Sequence, residues 1–174
     1  MRVAVTGTPG TGKTTATDLV ASPLDVLHLN DAIRAEGFHE GEDPDRGSLY
    51  ADLDALAAWV DERANERGTD GLLLESHLAH RLDADRVVVL RCRPAEVERR
   101  LTERGEPPAK ARENAEAEAL DVILAEAVER HGADAVYEID TTDLHPEAVA
   151  REIEAVVAGD REPSAGGVDF TDYL

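Results

Sequence analysis

Apolar positions along the chain fall into short unbroken runs, separated by longer stretches in which they recur at helical spacing. The runs Arg2–Thr6 (RVAVT), Val26–Asn30 (VLHLN), Gly71–Ser76 (GLLLES), Val87–Cys92 (VVVLRC) and Val136–Asp140 (VYEID) read as five strands. GLLLES and VVVLRC each hold a continuous apolar run, LLL and VVVL, as parallel strands covered on both faces do. The intervening pattern predicts a helix over Lys13–Ala21, broken by Ser22-Pro23. A short helix through Ala35 follows, capped by Asn30 or Asp31 and closed by Gly37. Residues 37–47 read as a polar, turn-rich loop. Ser48 then caps a long helix from Leu49 to Arg67, with Leu49, Leu53, Leu56, Ala57 and Val60 on one stripe and Trp59 packing beside it. Further helices are expected over Pro94–Arg104, closed by Gly105, over Ala109–His131, and over Pro146–Ala158. Glu106-Pro107-Pro108 is a hinge-like break. The segment from Gly159 is linker-like up to Phe170 and Tyr173, and is expected to be disordered or loosely docked. Strands alternating with helices give an open parallel α/β sheet that binds ligands at the carboxyl ends of its strands.

The first strand-to-helix joint carries a motif. GTPGTGKT, Gly7 to Thr14, fits G-x-x-x-x-G-K-[ST] at every fixed position, between a strand and an amphipathic helix as that phosphate-binding loop requires. Gly7, Gly10 and Gly12 let backbone N–H groups approach phosphate oxygens, and the following helix aims its positive end at the same anion. Lys13 can reach the β- and γ-phosphates, the Thr14 hydroxyl can ligate Mg²⁺, and Thr15 lies within reach of the α-phosphate. The alternative is a plain glycine-rich turn.

Other positions join this site by their place on the elements. Glu75 ends a leucine run, where a charge needs a partner, and it is the candidate acid for holding Mg²⁺ directly or through water. The competing reading is an acid merely exposed at the strand tip. His77, two residues on, can position a water or meet the γ-phosphate, or can be a hydrogen-bonded structural histidine. Arginine binds phosphate oxygens bidentately and stays charged. Arg34 and Arg104 sit beside apparent hinges and are the candidates for that work, with Arg100 evenly balanced between the site and the surface.

At 174 residues and 42 % hydrophobic, the chain suits one domain, with inserted lids if any. Cys92 is the sole cysteine, so no internal disulfide exists, no apolar run approaches the ~18 residues of a membrane span, and a soluble cytoplasmic protein is expected. A net charge of −20 argues against a broad nucleic-acid face but leaves room for a small basic cleft in an acidic shell. Lys13 and Lys110 are the only lysines. An acidic, lysine-poor surface resembles proteins of salt-loving archaea, in which ~1 M salt cuts the Debye length to ~3 Å; an acidic mesophilic protein is the alternative.

GTPGTGKTT, NDAIRAEG, LLLESH, and RLTERG followed by Lys110 and Glu113-Asn114 occur in the order found in the adenylate kinase isoenzyme 6 (CINAP) family, which the chain resembles over about residues 1–158. The Glu-x-His after the third strand and the RG…K..EN pattern make the resemblance specific. It implies a P-loop nucleoside monophosphate kinase fold, a five-stranded parallel sheet in order 2-3-1-4-5 with helices on both faces. It implies a monophosphate-binding region over about 28–51, a lid over about 103–113, and an acidic tail, 159–174, outside the resemblance. Gly10, Gly12, Lys13, Thr14, Thr15 and Arg104 would bind ATP, Arg34 the AMP phosphate, and Thr14 and Glu75 Mg²⁺. His77 would be the catalytic histidine, beside Lys13, Glu75 and Arg104. Two positions depart from the family: Glu75 stands where eukaryotic members have Asp, and Glu106 replaces an aromatic residue.

The activities implied are reversible transfer between ATP and AMP with broad monophosphate tolerance, ATP hydrolysis, and help in late maturation of the small ribosomal subunit and its rRNA. In that last role the family transiently binds a basic ribosomal protein of the uS-eleven type, for which an acidic surface is a suitable docking face. A monomer is expected, with ATP and AMP as ligands. A ribosome-assembly ATPase with incidental kinase activity and a small-metabolite kinase are the competing readings. No N-K-x-D tetrad is present to read guanine.

Overall fold

The computed structural model describes residues 1–44, 49–66 and 68–174. Five strands form one parallel sheet: β1 (Arg2–Thr6), β2 (Asp25–His28), β5 (Leu72–Glu75), β6 (Arg86–Arg91) and β7 (Val136–Asp140), in the order β2-β5-β1-β6-β7. Counted among themselves these are strands 2-3-1-4-5, the expected order. β1 is central, with Val5 opposite Glu75 on one side and Val88 on the other.

The leucine and valine runs are explained by period-2 alternation between two covered faces. Leu72, Leu74, Val87 and Val89 join Leu29, Leu56 and Leu124 on one face, under α2 (Leu29–Glu36), α3 (Leu53–Ala64) and α6 (Val122–His131). Val3, Val5, Leu73, Val88 and Leu90 join Ile153 and Val156 on the other, under α1 (Lys13–Thr17) and α7 (Pro146–Ala158). A third, smaller cluster of Cys92, Val97, Leu101 and Ala111 packs α4 (Pro94–Glu103) against α5 (Pro108–Ala119). Trp59 packs as expected, edge-to-face on Phe38 at 6.4 Å, with Arg63 over its ring.

Five expectations are corrected. The helix after the phosphate loop is short: α1 spans five residues and passes through turns before Ser22. The polar loop is a hairpin in part, β3 (His39–Glu42) pairing antiparallel with β4 (Leu49–Ala51). The long helix therefore begins only at Leu53, where the Asp52 carboxylate caps Ala55 N–H at 3.0 Å. Ser48 and Arg67, its expected ends, lie outside the described residues.

The helix expected over Ala109–His131 is two helices. Asp121 adopts a left-handed backbone, φ 55°, between α5 and α6. Asp tolerates that conformation better than most residues, and its carboxylate is held there by Arg91 Nη2 at 2.5 Å.

The carboxyl-terminal segment is docked, not loose. Ser164 N–H donates to the Val136 carbonyl, and Gly167 and Val168 N–H donate to Glu138 Oε1 at 2.8 and 3.0 Å. Phe170 is 8 % exposed and lies under the Arg91 guanidinium, and the Tyr173 hydroxyl donates to Glu98. The segment covers the otherwise open edge of β7, where an unpaired strand would invite association.

Candidate active site

The turn leaving β1 needs glycine where it bends. A Cβ on Gly7 would lie 2.5 Å from the Leu90 carbonyl oxygen, and Gly12 enters α1 with φ 89°. With α1 only five residues long, the anion-attracting character of the loop comes mainly from its own N–H groups.

Lys13 is 8 % exposed and folds back over the loop, donating to the carbonyls of Gly7 at 2.9 Å and Thr8 at 3.1 Å. Burial lowers its pKa to about 8, against the opposing charges of Glu75 and Glu118 and with help from Arg104. Arg100, evenly balanced in the sequence reading, donates to the Gly10 carbonyl at 3.2 Å and to Glu96. It holds the loop's backbone.

Glu75 ends β5, is 4 % exposed, and has the partners its position demanded. Its Oε1 accepts from the Thr14 hydroxyl at 3.3 Å and its Oε2 pairs with His28 Nδ1 at 2.8 Å. The other ring nitrogen of His28 pairs with Asp18 at 2.9 Å. Burial pulls the His28 pKa down, but Glu75 and Asp18 outweigh it and the net shift is upward. His28 was not among the residues singled out from the sequence. Its signal lies in the sheet order, because β2 and β5 are adjacent and put His28 opposite Glu75.

His77 is half-buried, lines the cleft, and makes no hydrogen bond among the described residues. Burial, then the charges of Lys13, Arg81, His80 and Lys110, lower its pKa to about 4, so the ring is neutral at neutral pH. The hydrogen-bonded structural histidine is its neighbour His80. That ring is buried, with Nδ1 paired to the Thr6 hydroxyl and Nε2 to Glu126, each at 2.8 Å.

These residues border a cleft of about 970 Å³ at the carboxyl ends of the strands. Gly10, Gly12, Lys13, Thr14, Thr15, Glu75 and His77 line its floor. Arg34 on α2, with Tyr50 on the hairpin, lines the side of the sheet where β2 lies, and Arg104, Lys110 and Asn114 come from the α4–α5 junction. Arg34 and Arg104 are exposed and form no ion pair among the described residues, whereas Lys110 pairs with Glu106 at 3.3 Å. Arg81, not singled out in the sequence, adds a further cation and is tied to Glu126 at 3.2 Å. Apart from Gly7 and Arg100, the sequence-derived site residues thus line the same cleft. Five lysines and arginines face six carboxylates there. The lining is close to charge balance in a chain of net charge −20, which suits an anionic ligand far better than the outer surface does.

The model of the AAA domain family matches residues 3–121. Over all of this chain and all of theirs, proteins of Natronomonas pharaonis and Halobacterium salinarum are 63 % and 61 % identical to it, and each is named "Putative adenylate kinase". The chain belongs to this adenylate kinase-like family of P-loop proteins. A relative of the same name in Methanothermobacter thermautotrophicus is 42 % identical over 99 % of the chain and 98 % of its own length. Among solved structures, shikimate kinase from Acinetobacter baumannii, in complex with shikimate, superposes with a TM-score of 0.59. It covers 92 % of this chain and 94 % of its own at 16 % identity, a likeness of fold alone. No helix among the described residues is long and apolar enough to cross a membrane.

Proposed function

We propose that this protein is an ATP-dependent nucleoside monophosphate kinase of the adenylate type, of the isoenzyme 6 kind, which converts ATP and AMP to two ADP, tolerates other monophosphates, and also hydrolyses ATP. One observation carries the reading. Arg34 and Arg104, each without an ion-pair partner among the described residues, border the same cleft as the phosphate loop.

In such a transfer the attacking phosphate oxygen is already ionised, so no protein base is required; rate comes from placement and charge neutralisation. Lys13, on giving up the Gly7 and Thr8 carbonyls, binds the β- and γ-phosphates. Arg34 holds the AMP phosphate, and Arg104 moves with the lid, about 103–113, to meet ATP. Closure of that lid on the Gly105–Pro108 hinge excludes water. The Thr14 hydroxyl and the Glu75 carboxylate, 3.3 Å apart, fit Mg²⁺, which takes oxygen donors and arrives with nucleotide phosphates. When bound it neutralises charge on the phosphate oxygens. Hydrolysis needs an oriented water instead, and the neutral ring of His77, without a hydrogen bond among the described residues, is suited to hold one.

Two substitutions separate these roles in one assay of ADP and phosphate. Arg34→Ala is expected to raise KM for AMP by about 10²-fold, from loss of a charge-assisted contact to phosphate, while leaving hydrolysis near wild type. His77→Ala is expected to depress hydrolysis more than AMP phosphorylation. An unchanged AMP dependence in the first variant, or equal losses of both rates in the second, removes the residue from its role. A ribosomal role, through transient binding of a basic small-subunit protein, is a further part of the proposal. It is supported by the acidic surface and tested by co-purification that ATP disrupts. The salt-adapted reading of that surface is supported by the relatives from Natronomonas and Halobacterium.

A further inference from the structure

Behind the cleft lies a buried ionic network that the mechanism above does not use. Glu118 on α5 is 3 % exposed. Its Oε2 accepts from the Thr8 hydroxyl at 2.6 Å, and its Oε1 accepts from Cys92 N–H at 3.0 Å and Arg91 Nε at 2.8 Å. Arg91, at the end of β6, also donates to Glu138 Oε2 and Asp121 Oδ1, each at 2.5 Å, and to the Glu118 carbonyl. Glu138 in turn holds the carboxyl-terminal segment through Gly167 and Val168 N–H. None of Glu118, Arg91 and Glu138 lines the cleft. An unbroken run of bonds therefore joins the carboxyl-terminal segment to the first residues of the phosphate loop.

Burying three ionised groups, Glu118, Arg91 and Glu138, is costly, and a network of this kind is weak ground for stability alone when apolar packing can fill the same space. What it does supply is a fixed geometry, and its free end is a loop residue. Thr8 is the platform of the resting loop. Its carbonyl accepts from Lys13 Nζ at 3.1 Å and from the Thr11 hydroxyl at 2.9 Å. A short bond to a buried, immobile carboxylate sets where that platform lies relative to Lys13 and the loop's N–H groups. Small displacements in such a cradle are expensive, because oxyanion donors work only at hydrogen-bond range.

We propose that Glu118 is a positioning residue for the ATP triphosphate, acting through its hydrogen bond to Thr8, with Arg91, Glu138 and the docked carboxyl-terminal segment holding Glu118 in place. The proposal rests on the cleft being an ATP site, and not on which acceptor takes the phosphoryl group.

The test compares Thr8→Val with Thr8→Ser, reading ATP–Mg²⁺ affinity by calorimetry in molar KCl on folded protein, alongside KM for AMP. Thr8→Val is expected to weaken ATP about tenfold, the scale of one hydrogen bond to a charged group, with KM for AMP within twofold. Thr8→Ser, which keeps the hydroxyl, should restore ATP affinity to within twofold of wild type. Glu118→Gln should weaken ATP in the same direction, and adding Thr8→Val to it should cost nothing further. A Thr8→Val protein that binds ATP as wild type does, or a Thr8→Ser protein as weak as the valine variant, overturns the proposal; so does additivity in the double variant. A merely structural role would lower the melting temperature of Thr8→Val and leave affinity unchanged. Wild-type protein that binds ATP but leaves AMP unphosphorylated contradicts the kinase reading above, and the Thr8 comparison remains decisive for this one.

Discussion

Replacing Lys13 by methionine is expected to cut ADP formation from ATP and AMP by about 10²–10³-fold, the usual loss when one preorganised electrostatic group is removed from a reacting phosphoryl. Methionine keeps most of the buried stem and deletes the ammonium, so the carbonyls of Gly7 and Thr8 lose their shared donor. The lysine also makes a pH prediction. Its pKa in the free protein is lowered to about 8, by burial first. Bound phosphates favour the charged form and raise that value. ATP binding at and above pH 8 should therefore take up protons, and affinity should fall as pH rises beyond about 8. Calorimetry in buffers of different ionisation enthalpy reads the uptake directly. In Lys13→Met the uptake should vanish together with the rate. A variant that keeps either one removes Lys13 from the centre of the site.

The largest expected effect on stability lies at Arg91. Arg91→Met leaves Glu118 and Glu138 buried without the guanidinium that pairs with both, and breaking a buried ionic network by removing one partner typically costs about 3–5 kcal/mol. For a domain of this size that is a fall in melting temperature of roughly 10–15 °C. The deficit should narrow as pH is lowered toward 5. Uncompensated buried carboxylates have pKa values raised above those of the unfolded chain, so the folded variant takes up protons before the unfolded chain does. Thermal unfolding of both proteins in molar KCl, at pH 7.5 and at pH 5, is the measurement. A loss under about 1 kcal/mol, or a deficit that widens with acid, would mean that Arg91 is not the hub of the network.

Most of the fold was legible in the sequence because its signals are local. The apolar runs of β5 and β6 sit between two covered faces, and the phosphate loop follows a strand with its glycines and lysine at fixed spacing. The place of Glu75 on the cleft was legible for a related reason, since a charge closing a leucine run is conspicuous whatever the rest of the chain does, and His77 follows two residues on. What was not legible depends on contacts distant in sequence. His28 meets Glu75 across 47 positions, and only because β2 lies beside β5. Nothing in the Ala-rich stretch after Lys110 signals a break. Asp121 turns left-handed where Arg91, 30 positions earlier, holds its carboxylate. The carboxyl-terminal segment has the Gly, Ser and Pro of a linker, and its order comes from a glutamate on β7 that no composition rule could match to it. The hairpin was hidden because HEGE has no apolar alternation, and all four of its residues are exposed.

The same contrast applies to charge. Twenty net negative charges describe the outer surface and say little about the cleft, where lysines and arginines from four parts of the fold converge. A nucleotide would meet a lining near neutrality, with Lys13 buried against the loop and Arg34 and Arg104 exposed around it.

The central claim is that this cleft moves a phosphoryl group from ATP to a monophosphate. The most direct measurement incubates the purified protein with ATP and Mg²⁺ in molar KCl, with and without AMP, and quantifies ADP and inorganic phosphate in the same samples. Phosphoryl transfer predicts that AMP raises ADP formation far above phosphate release, with two ADP made for each AMP consumed. ADP and phosphate appearing in equal amounts, whether or not AMP is present, would contradict it.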